Sequence, residues 1–204
     1  MVRVKICGVR TPEEARLATA CGADAVGLVF AAGRRRVTVD QARAVAAAVG
    51  PLVTVVGVFV DRPREEVLTV ARTVGLTALQ FSGAEDPAYC RSFDRFPVIK
   101  AVFVRDRGFR DQALAYRGCA ILLETWQPGV AGGSGCSFDW SLARGVELPQ
   151  PVILAGGLTP GNVAGAVRAL RPWAVDVATG VETDGRKDPA RMGAFVANAR
   201  GAVS

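Results

Sequence analysis

Short apolar segments alternate with amphipathic, alanine-rich segments along almost the whole chain. The apolar segments are rich in β-branched residues and are hydrophobic at successive positions rather than at alternate ones. That pattern is typical of strands that are buried on both faces. It predicts eight strands, at residues 2–6, 25–30, 53–60, 78–81, 98–104, 119–123, 152–155 and 174–177.

Helical patterns fill most of the intervals between these strands. Thr11-Pro12-Glu13-Glu14 and Thr159-Pro160 supply helix-capping residues followed by a proline, which is the usual start of a helix. Two further segments, 108–116 and 139–143, are only a weak helix and a short one. The clear helices are predicted at 12–21, 39–49, 63–74, 86–93, 160–170 and 188–202.

Buried strands that alternate with crossover helices predict a parallel sheet in an α/β fold. Eight such units in 204 residues predict a (βα)8 TIM barrel, formed by a single domain over residues 1–204. The alternative is a doubly wound open sheet. That fold usually carries a GxGxxG turn after an early strand, and Gly8-Val9-Arg10 does not match it, so the barrel is favoured.

Composition narrows the chemistry. The chain has no histidine, which removes the commonest general acid–base and the commonest transition-metal ligand, so proton transfer must use another side chain. Its five cysteines are odd in number and irregularly spaced, with no CxxC pair. Neither a disulfide framework nor a zinc site is indicated, and we expect free thiols and no bound metal.

Charge and hydropathy limit the partners. A net charge of +6 suits a small anionic substrate. The arginines are spread along the chain without a basic tail or an aromatic-rich face, so no nucleic-acid partner is expected. No apolar stretch reaches the roughly 20 residues that cross a bilayer, so we expect a cytoplasmic protein without a membrane partner. Either a monomer or a homodimer fits the sequence.

Polar residues at the ends of predicted strands are candidates for the chemistry, because the active site of a TIM barrel lies at the C-terminal ends of its strands. Cys7 ends the first strand beside Gly8, although most cysteines are small buried hydrophobic residues. Glu124 directly follows the apolar residues of the sixth strand. The glycine-rich segment after it, with Gly132, Gly133, Ser134 and Gly135, is either a loop that closes over a ligand or a simple connector.

Two glycine-containing segments follow the last two strands. Gly156 and Gly157 come after the seventh strand, and Thr179 and Gly180 after the eighth. Such positions present backbone N–H groups to a phosphate, although glycine also serves tight turns. Arg34-Arg35-Arg36 follows the second strand and is either a surface cluster or the source of one arginine that pairs with a substrate carboxylate.

Motifs distributed over nearly the whole chain resemble those of the phosphoribosylanthranilate isomerase family. They include Lys5-Ile6-Cys7-Gly8, Gly22-Ala23-Asp24-Ala25, Val56-Gly57-Val58-Phe59, Leu79-Gln80, Gly132-Gly133-Ser134-Gly135, Ala155-Gly156-Gly157-Leu158 and Gly180-Val181-Glu182. The family has a compact (βα)8 barrel. It carries out a cofactor-free Amadori isomerisation of a phosphoribosylated anthranilate in tryptophan biosynthesis, so the resemblance implies that activity, a small anionic phosphosugar substrate and no cofactor.

The resemblance also implies roles for individual residues. Cys7 matches the general base that takes the proton from C2′ of the sugar, and Glu124 stands at the position of the general acid that protonates the ring oxygen. Arg36 matches the arginine that holds the anthranilate carboxylate. Asp176 and Gln80 match substrate-binding positions, with Asp176 near the anthranilate amine or the sugar.

The chain departs from the family pattern at three places. Glu124 replaces an aspartate and moves the carboxyl group by one methylene, roughly 1.5 Å. Phe81-Ser82-Gly83 replaces Leu-His-Gly, and Arg34-Arg35-Arg36 adds positive charge. Two alternatives therefore stay open: a dual-substrate or re-specialised isomerase related to that of histidine biosynthesis, and a catalytically silent barrel that binds phosphosugars.

Overall fold

Eight parallel strands form a closed barrel in the computed structural model, which describes residues 1–125 and 137–202. Neighbouring strands pair in chain order, and the last pairs with the first. The predicted barrel is therefore confirmed, and the open-sheet alternative is wrong. The strands are β1 (Arg3–Cys7), β2 (Ala25–Val29), β3 (Thr54–Phe59), β4 (Ala78–Phe81), β5 (Val98–Val104), β6 (Ala120–Thr125), β7 (Val152–Leu154) and β8 (Ala174–Val177).

Seven α-helices in the described residues surround the barrel. They are α1 (Pro12–Ala20), α2 (Val39–Val49), α3 (Arg64–Val74), α4 (Pro87–Arg91), α5 (Phe109–Ala115), α6 (Val163–Leu170) and α7 (Pro189–Gly201). The predicted cap at Thr11 is confirmed, since its hydroxyl accepts a hydrogen bond from the N–H of Glu14 at 3.1 Å. Within the same residues, no helix has the length and apolar character needed to cross a lipid bilayer.

Two helical predictions change in detail. The short element after β6 is a single 3₁₀ turn, Trp140–Leu142, as its length indicated. The helix predicted from residue 160 begins instead at Val163, because Pro160 to Asn162 form a turn. In that turn the side chain of Asn162 accepts a hydrogen bond from the N–H of Thr159 at 2.8 Å, which closes the turn ahead of the helix.

A small hairpin follows β8 and was not predicted. Its antiparallel strands are β9 (Glu182–Thr183) and β10 (Arg186–Lys187). The two residues between them, Asp184 and Gly185, have φ values of 50° and 74°. Positive φ at both central positions is the requirement of a tight hairpin turn, and Asp-Gly is among the sequences that favour it.

Two candidate catalytic residues, Cys7 and Glu124, lie at or near the ends of their strands. Cys7 is the last residue of β1, as expected. The sixth strand was predicted at 119–123, but β6 runs through Glu124 to Thr125, so Glu124 lies within the strand, one residue before its end. The parallel pairing of β6 with β5 extends to both residues, so the Glu124 backbone is fixed by the sheet rather than by a loop.

Hydrophobic side chains fill both the barrel and the layer outside it. The larger cluster lies between strands and helices, whereas a separate cluster fills the barrel interior. The interior residues are mostly small, and this leaves space within the ring of strands. They are Val56, Ala78, Ile99, Ala101, Leu122, Ile153, Ala155 and Ala174.

A buried ion pair joins β5 to the segments that follow β3 and β4. Lys100 of β5 lies 2.9 Å from a carboxylate oxygen of Glu85, and its ammonium also donates to the carbonyls of Phe81 and Gly83. Glu85 in turn accepts hydrogen bonds from the backbone N–H groups of Gly83 and Asp61, each at 2.8 Å. The pair therefore fixes the loops that follow β3 and β4.

We predict that Glu85→Gln lowers the free energy of unfolding by about 3–5 kcal/mol, because it leaves the buried Lys100 charge uncompensated. Glu66→Gln is the matched control. Glu66 pairs with Arg62 at 3.4 Å on the surface, and losing such a pair costs at most about 1 kcal/mol. Urea unfolding of both variants measures the difference, and equal destabilisation by the two changes would contradict the prediction.

Candidate active site

A cavity of about 390 Å³ lies at the C-terminal end of the barrel. It brings together four of the residues singled out from the sequence, namely Cys7, Gln80, Glu124 and Asp176. They come from β1, β4, β6 and β8, so strands from all around the barrel contribute to one space. This is the end of a TIM barrel at which catalytic residues are found.

A second, smaller cavity of about 270 Å³ lies against the segments that follow β7 and β8. All four residues proposed for phosphate binding line it: Gly156, Gly157, Thr179 and Gly180. Glu124, Asp176 and Ala178 line both cavities. The two spaces therefore adjoin each other, with two carboxylates at their boundary.

The strand register makes room for the Cys7 side chain. Cys7 pairs with Gly27 of β2. A Cβ atom at Gly27 would lie 2.7 Å from the sulfur of Cys7 and 3.2 Å from Nζ of Lys5. The first contact is too close for a real side chain and the second is tighter than most, so the absence of a side chain at Gly27 is what allows the thiol and the ammonium group to share this space.

Lys5 forms a buried ion pair across the junction between the first and last strands. Lys5 and Asp176 occupy paired positions on β1 and β8, and Nζ lies 2.9 Å from Oδ1. Burial lowers the pKa of Lys5, but the charge of Asp176, with a smaller contribution from Cys7, outweighs it and leaves the pKa above its usual range. Lys5 is therefore a permanent cation beside the thiol.

The pKa of the Cys7 thiol lies above its ordinary value. Burial is the largest cause, because a thiolate loses its hydration there, and the negative charge of Asp176 adds to it. Lys5 and Lys187 act in the opposite direction and lower the pKa. Lys5 therefore favours the thiolate, but the effect of burial on the pKa is larger.

Glu124 is held at the boundary of the two cavities. It is 9% exposed, and its Oε1 accepts a hydrogen bond from the N–H of Thr125 at 3.0 Å. A Cβ on Gly156 would lie 2.9 Å from the same oxygen, so the glycine segment after β7 packs directly against this carboxylate. The position places one carboxyl group within reach of both spaces.

Gln80 and Ser82 form part of the cavity wall. The amide nitrogen of Gln80 donates to the Ser82 hydroxyl at 3.2 Å, while the amide oxygen is buried without a hydrogen-bond partner among the described residues. Gln80 is only 5% exposed. A buried acceptor without a partner is costly, so the site offers a position for a donor group of a ligand.

The arginine segment after β2 is anchored by Glu182 of the hairpin. Arg34 and Arg35 each lie 2.7 Å from a carboxylate oxygen of Glu182, and Lys187 adds a third cation at 2.9 Å. Burial raises the pKa of Glu182, but Arg35 and Lys187 outweigh it and hold the pKa at about 2. The carboxylate is therefore charged at any ordinary pH and fixes the loop above Cys7.

Arg36 stands apart from this cluster. Its side chain is exposed, and its backbone bridges to Val29 of β2. Among the described residues, the arginines that line the larger cavity are Arg34 and Arg35. Contact of Arg36 with a ligand at the cavity mouth stays a prediction.

The glycine segments pack too closely for other residues. Gly156 and Gly157 have φ values of 79° and 61°, which disfavour side chains. A Cβ on Gly180 would collide with the carbonyl oxygen of Leu158, so the segments after β7 and β8 touch through their backbones. Asn162 braces the first of them by donating to the carbonyl of Gly157 at 3.0 Å.

Two further expectations from the sequence concern the glycine-rich loop after β6 and the binding of a metal ion. The loop residues Gly132, Gly133, Ser134 and Gly135 lie outside the described residues. In residues 1–125 and 137–202, His, Cys, Asp and Glu side chains form no group of three or more that is suited to a metal ion.

Some residues that build the site were not singled out from the sequence. Arg35, Glu182 and Lys187 form the cluster that fixes the loop after β2, and Arg191 lines the smaller cavity. The Asp-Gly turn signals the hairpin that carries Glu182 and Lys187. No sequence signal distinguishes Arg35 from the arginines on either side of it.

Comparison with known proteins gives a consistent result. Residues 4–198 match the family model of N-(5′-phosphoribosyl)anthranilate isomerase. A protein of that name from Desulforudis audaxviator is 50% identical over the full length of both chains. One from Moorella thermoacetica is 47% identical over 96% of this chain and 88% of its own.

Solved structures agree with this. Phosphoribosyl anthranilate isomerase from Thermotoga maritima has a TM-score of 0.90 and 42% identity, covering 98% of this chain and 100% of its own. A second structure, with a TM-score of 0.87 and 41% identity over the same shares, is that of the enzyme in complex with reduced 1-(o-carboxyphenylamino)-1-deoxyribulose 5-phosphate.

We predict that Gly27→Ala destabilises the protein by about 1–3 kcal/mol, because the added methyl group overpacks the space of the thiol and the ammonium. Gly201→Ala is the control, since a Cβ there meets nothing within 4 Å. Urea unfolding tests both. A Gly27→Ala protein as stable as the Gly201→Ala control would show that this space is not tightly filled.

Proposed function

The chain belongs to the N-(5′-phosphoribosyl)anthranilate isomerase family, and we propose that it catalyses the Amadori rearrangement of that substrate in tryptophan biosynthesis. The product is 1-(o-carboxyphenylamino)-1-deoxyribulose 5-phosphate. In this proposal Cys7 is the general base and Glu124 the general acid.

One observation carries the assignment of these two residues. Cys7 and Glu124 line the same cavity, from β1 and β6, and that cavity adjoins the glycine-lined space. An isomerisation of this kind needs one group that gives a proton and one that takes a proton, placed around a single sugar. A phosphate held in the smaller space directs the sugar into the larger one, where both groups lie.

Glu124 acts first. Its carboxylic acid donates a proton to the furanose ring oxygen as the C1′–O bond breaks, and the amine nitrogen forms a C1′=N bond with its lone pair. The position of Glu124 at the boundary of the two cavities supports this role, because the ring lies between the phosphate group and the anthranilate. Glutamate has the extra methylene, which lets the carboxyl group extend further from β6 than an aspartate would.

Cys7 acts second. Its thiolate takes the proton from C2′, and the electrons of that C–H bond form a C1′=C2′ bond while the iminium nitrogen regains its lone pair. The resulting enol amine loses its hydroxyl proton and gains a proton at C1′, which gives the ketone. Lys5 supports the thiolate form with its positive charge, against the effect of burial.

The remaining residues bind and orient the substrate. Gly156, Gly157, Thr179 and Gly180 receive the phosphate through backbone N–H groups. Arg36 pairs with the anthranilate carboxylate when the substrate fills the mouth of the cavity. The unpartnered amide oxygen of Gln80 accepts a hydrogen bond from a substrate N–H or hydroxyl group, and Asp176 lies close to the sugar at the boundary of the cavities.

The test follows the loss of substrate fluorescence with purified protein. We predict turnover by the native chain, and a decrease of about 10²–10⁴-fold in kcat/KM for both Cys7→Ala and Glu124→Gln, because each removes a proton-transfer group. Cys21→Ala is the control for the first variant, since Cys21 lies outside both cavities. Glu124→Asp keeps the acid, and we expect a smaller decrease from it.

Three results would contradict parts of this proposal. Full activity of Cys7→Ala or of Glu124→Gln would remove that residue from the mechanism. Absence of turnover in the native chain would favour a barrel that only binds phosphosugars. If Glu124→Asp then gained activity, the scaffold would be intact and its acid displaced.

A further inference from the structure

Arg191 lies beside the glycine segments and has no part in the mechanism above. It is the third residue of α7 and lines the smaller cavity together with Gly156, Gly157 and Gly180. A phosphate monoester carries up to two negative charges, and backbone N–H groups supply only partial charges to balance them. A positively charged side chain is therefore needed to balance the remaining charge of the phosphate.

The charges that line the smaller cavity are mostly negative. Among the described residues they are three carboxylates, Glu124, Asp176 and Glu182, and one cation, Arg191. Without a cation such a space would repel a phosphate. The segment 126–136, which the structure does not describe, contains no charged residue, so a lysine or arginine from that loop is not available.

The other nearby cations are already paired with carboxylates. Lys5 is paired with Asp176 at 2.9 Å. Lys187 donates to Glu182 at 2.9 Å and to the carbonyl of Ala178 at 2.8 Å. Arg35 binds Glu182 and the Thr179 hydroxyl. Each of these cations is thus already held by a carboxylate of the site, Lys5 by Asp176 and both Lys187 and Arg35 by Glu182.

Arg191 differs from them in its contacts. Its guanidinium donates to the backbone carbonyl of Glu182 at 3.3 Å. No carboxylate of the described residues lies within ion-pair distance of it. The side chain is exposed, and the carbonyl contact holds it at the edge of the cavity with several N–H donors still to be used.

We infer that Arg191 is the cation that binds the phosphate group of the substrate. This inference rests on the proposed function, because it names a partner for the phosphate in the same site. Arg191 pairs with the phosphate oxygens from the solvent side, opposite the glycine backbones. A guanidinium forms charge-assisted, two-pronged contacts with phosphate, so the residue sets affinity for phosphorylated substrates rather than the rate of the chemical steps.

The experiment compares Arg191→Gln and Arg191→Lys with Arg168→Gln. Arg168 is exposed on α6 and lines neither cavity, so its loss changes net charge equally. We expect Arg191→Gln to raise KM by about tenfold, with kcat changed by less than about twofold. Inhibition by inorganic phosphate should weaken by the same factor as KM, Arg191→Lys should recover part of both losses, and Arg168→Gln should change neither.

Unchanged KM and unchanged phosphate inhibition in Arg191→Gln would overturn the inference. So would a loss confined to kcat, because that would place the residue in the chemistry instead. Calorimetric titration with inorganic phosphate separates this outcome from failure of the proposed function. If the native chain lacked turnover, weaker phosphate binding by Arg191→Gln alone would still support the inference, and equal binding by all variants would refute it.

Discussion

The site depends on the ion pair that joins the first strand of the barrel to the last. Lys5 and Asp176 are paired positions on β1 and β8, and their side chains meet at 2.9 Å inside the barrel. Two buried charges are tolerated there because each neutralises the other. The pair keeps a cation beside Cys7 and a carboxylate at the boundary of the two cavities, so closure of the barrel and the electrostatics of the thiol have the same origin.

Two adjoining cavities lie beside this ion pair. The smaller cavity holds glycine backbones that approach each other too closely for side chains, and it suits a phosphate group. In the proposed mechanism the larger cavity holds the groups that transfer protons. Glu124 lines both cavities, so in that mechanism a sugar anchored by its phosphate would present its ring oxygen to the acid and its C2′ proton to the base. Binding energy from the phosphate thereby supports the chemistry at a distance.

Much of this arrangement can be predicted from the sequence, because it follows from the alternation of apolar and helical segments and from which residues stand at the ends of the strands. Eight apolar segments separated by helices predicted the closed barrel, and the rule that strand ends carry the chemistry singled out Cys7 and the two glycine segments. The boundary at Glu124 was less predictable, since the hydrogen bonds of the neighbouring β5 extend β6 by two residues beyond its apolar part.

Side-chain pairing across distant segments was the part that sequence reasoning did not reach. Three consecutive arginines look alike in the sequence, and only the hairpin that carries Glu182 gives Arg34 and Arg35 a partner while Arg36 stays exposed. The same holds for Lys100 and Glu85, whose pairing requires β4 and β5 to be neighbouring strands. Burial likewise raises the pKa of Cys7 by more than its positive neighbours lower it. The relative size of these two effects cannot be read from a sequence motif.

The most direct test of the account is the pH dependence of kcat/KM for the native chain and for Lys5→Met. A base must be deprotonated to act, so kcat/KM rises with pH until the thiol is ionised. Because Lys5 lowers the pKa of the Cys7 thiol against the effect of burial, we expect its removal to move the rising limb to higher pH. A rising limb at the same pH in both proteins would contradict the claim that Lys5 and Cys7 act as one unit.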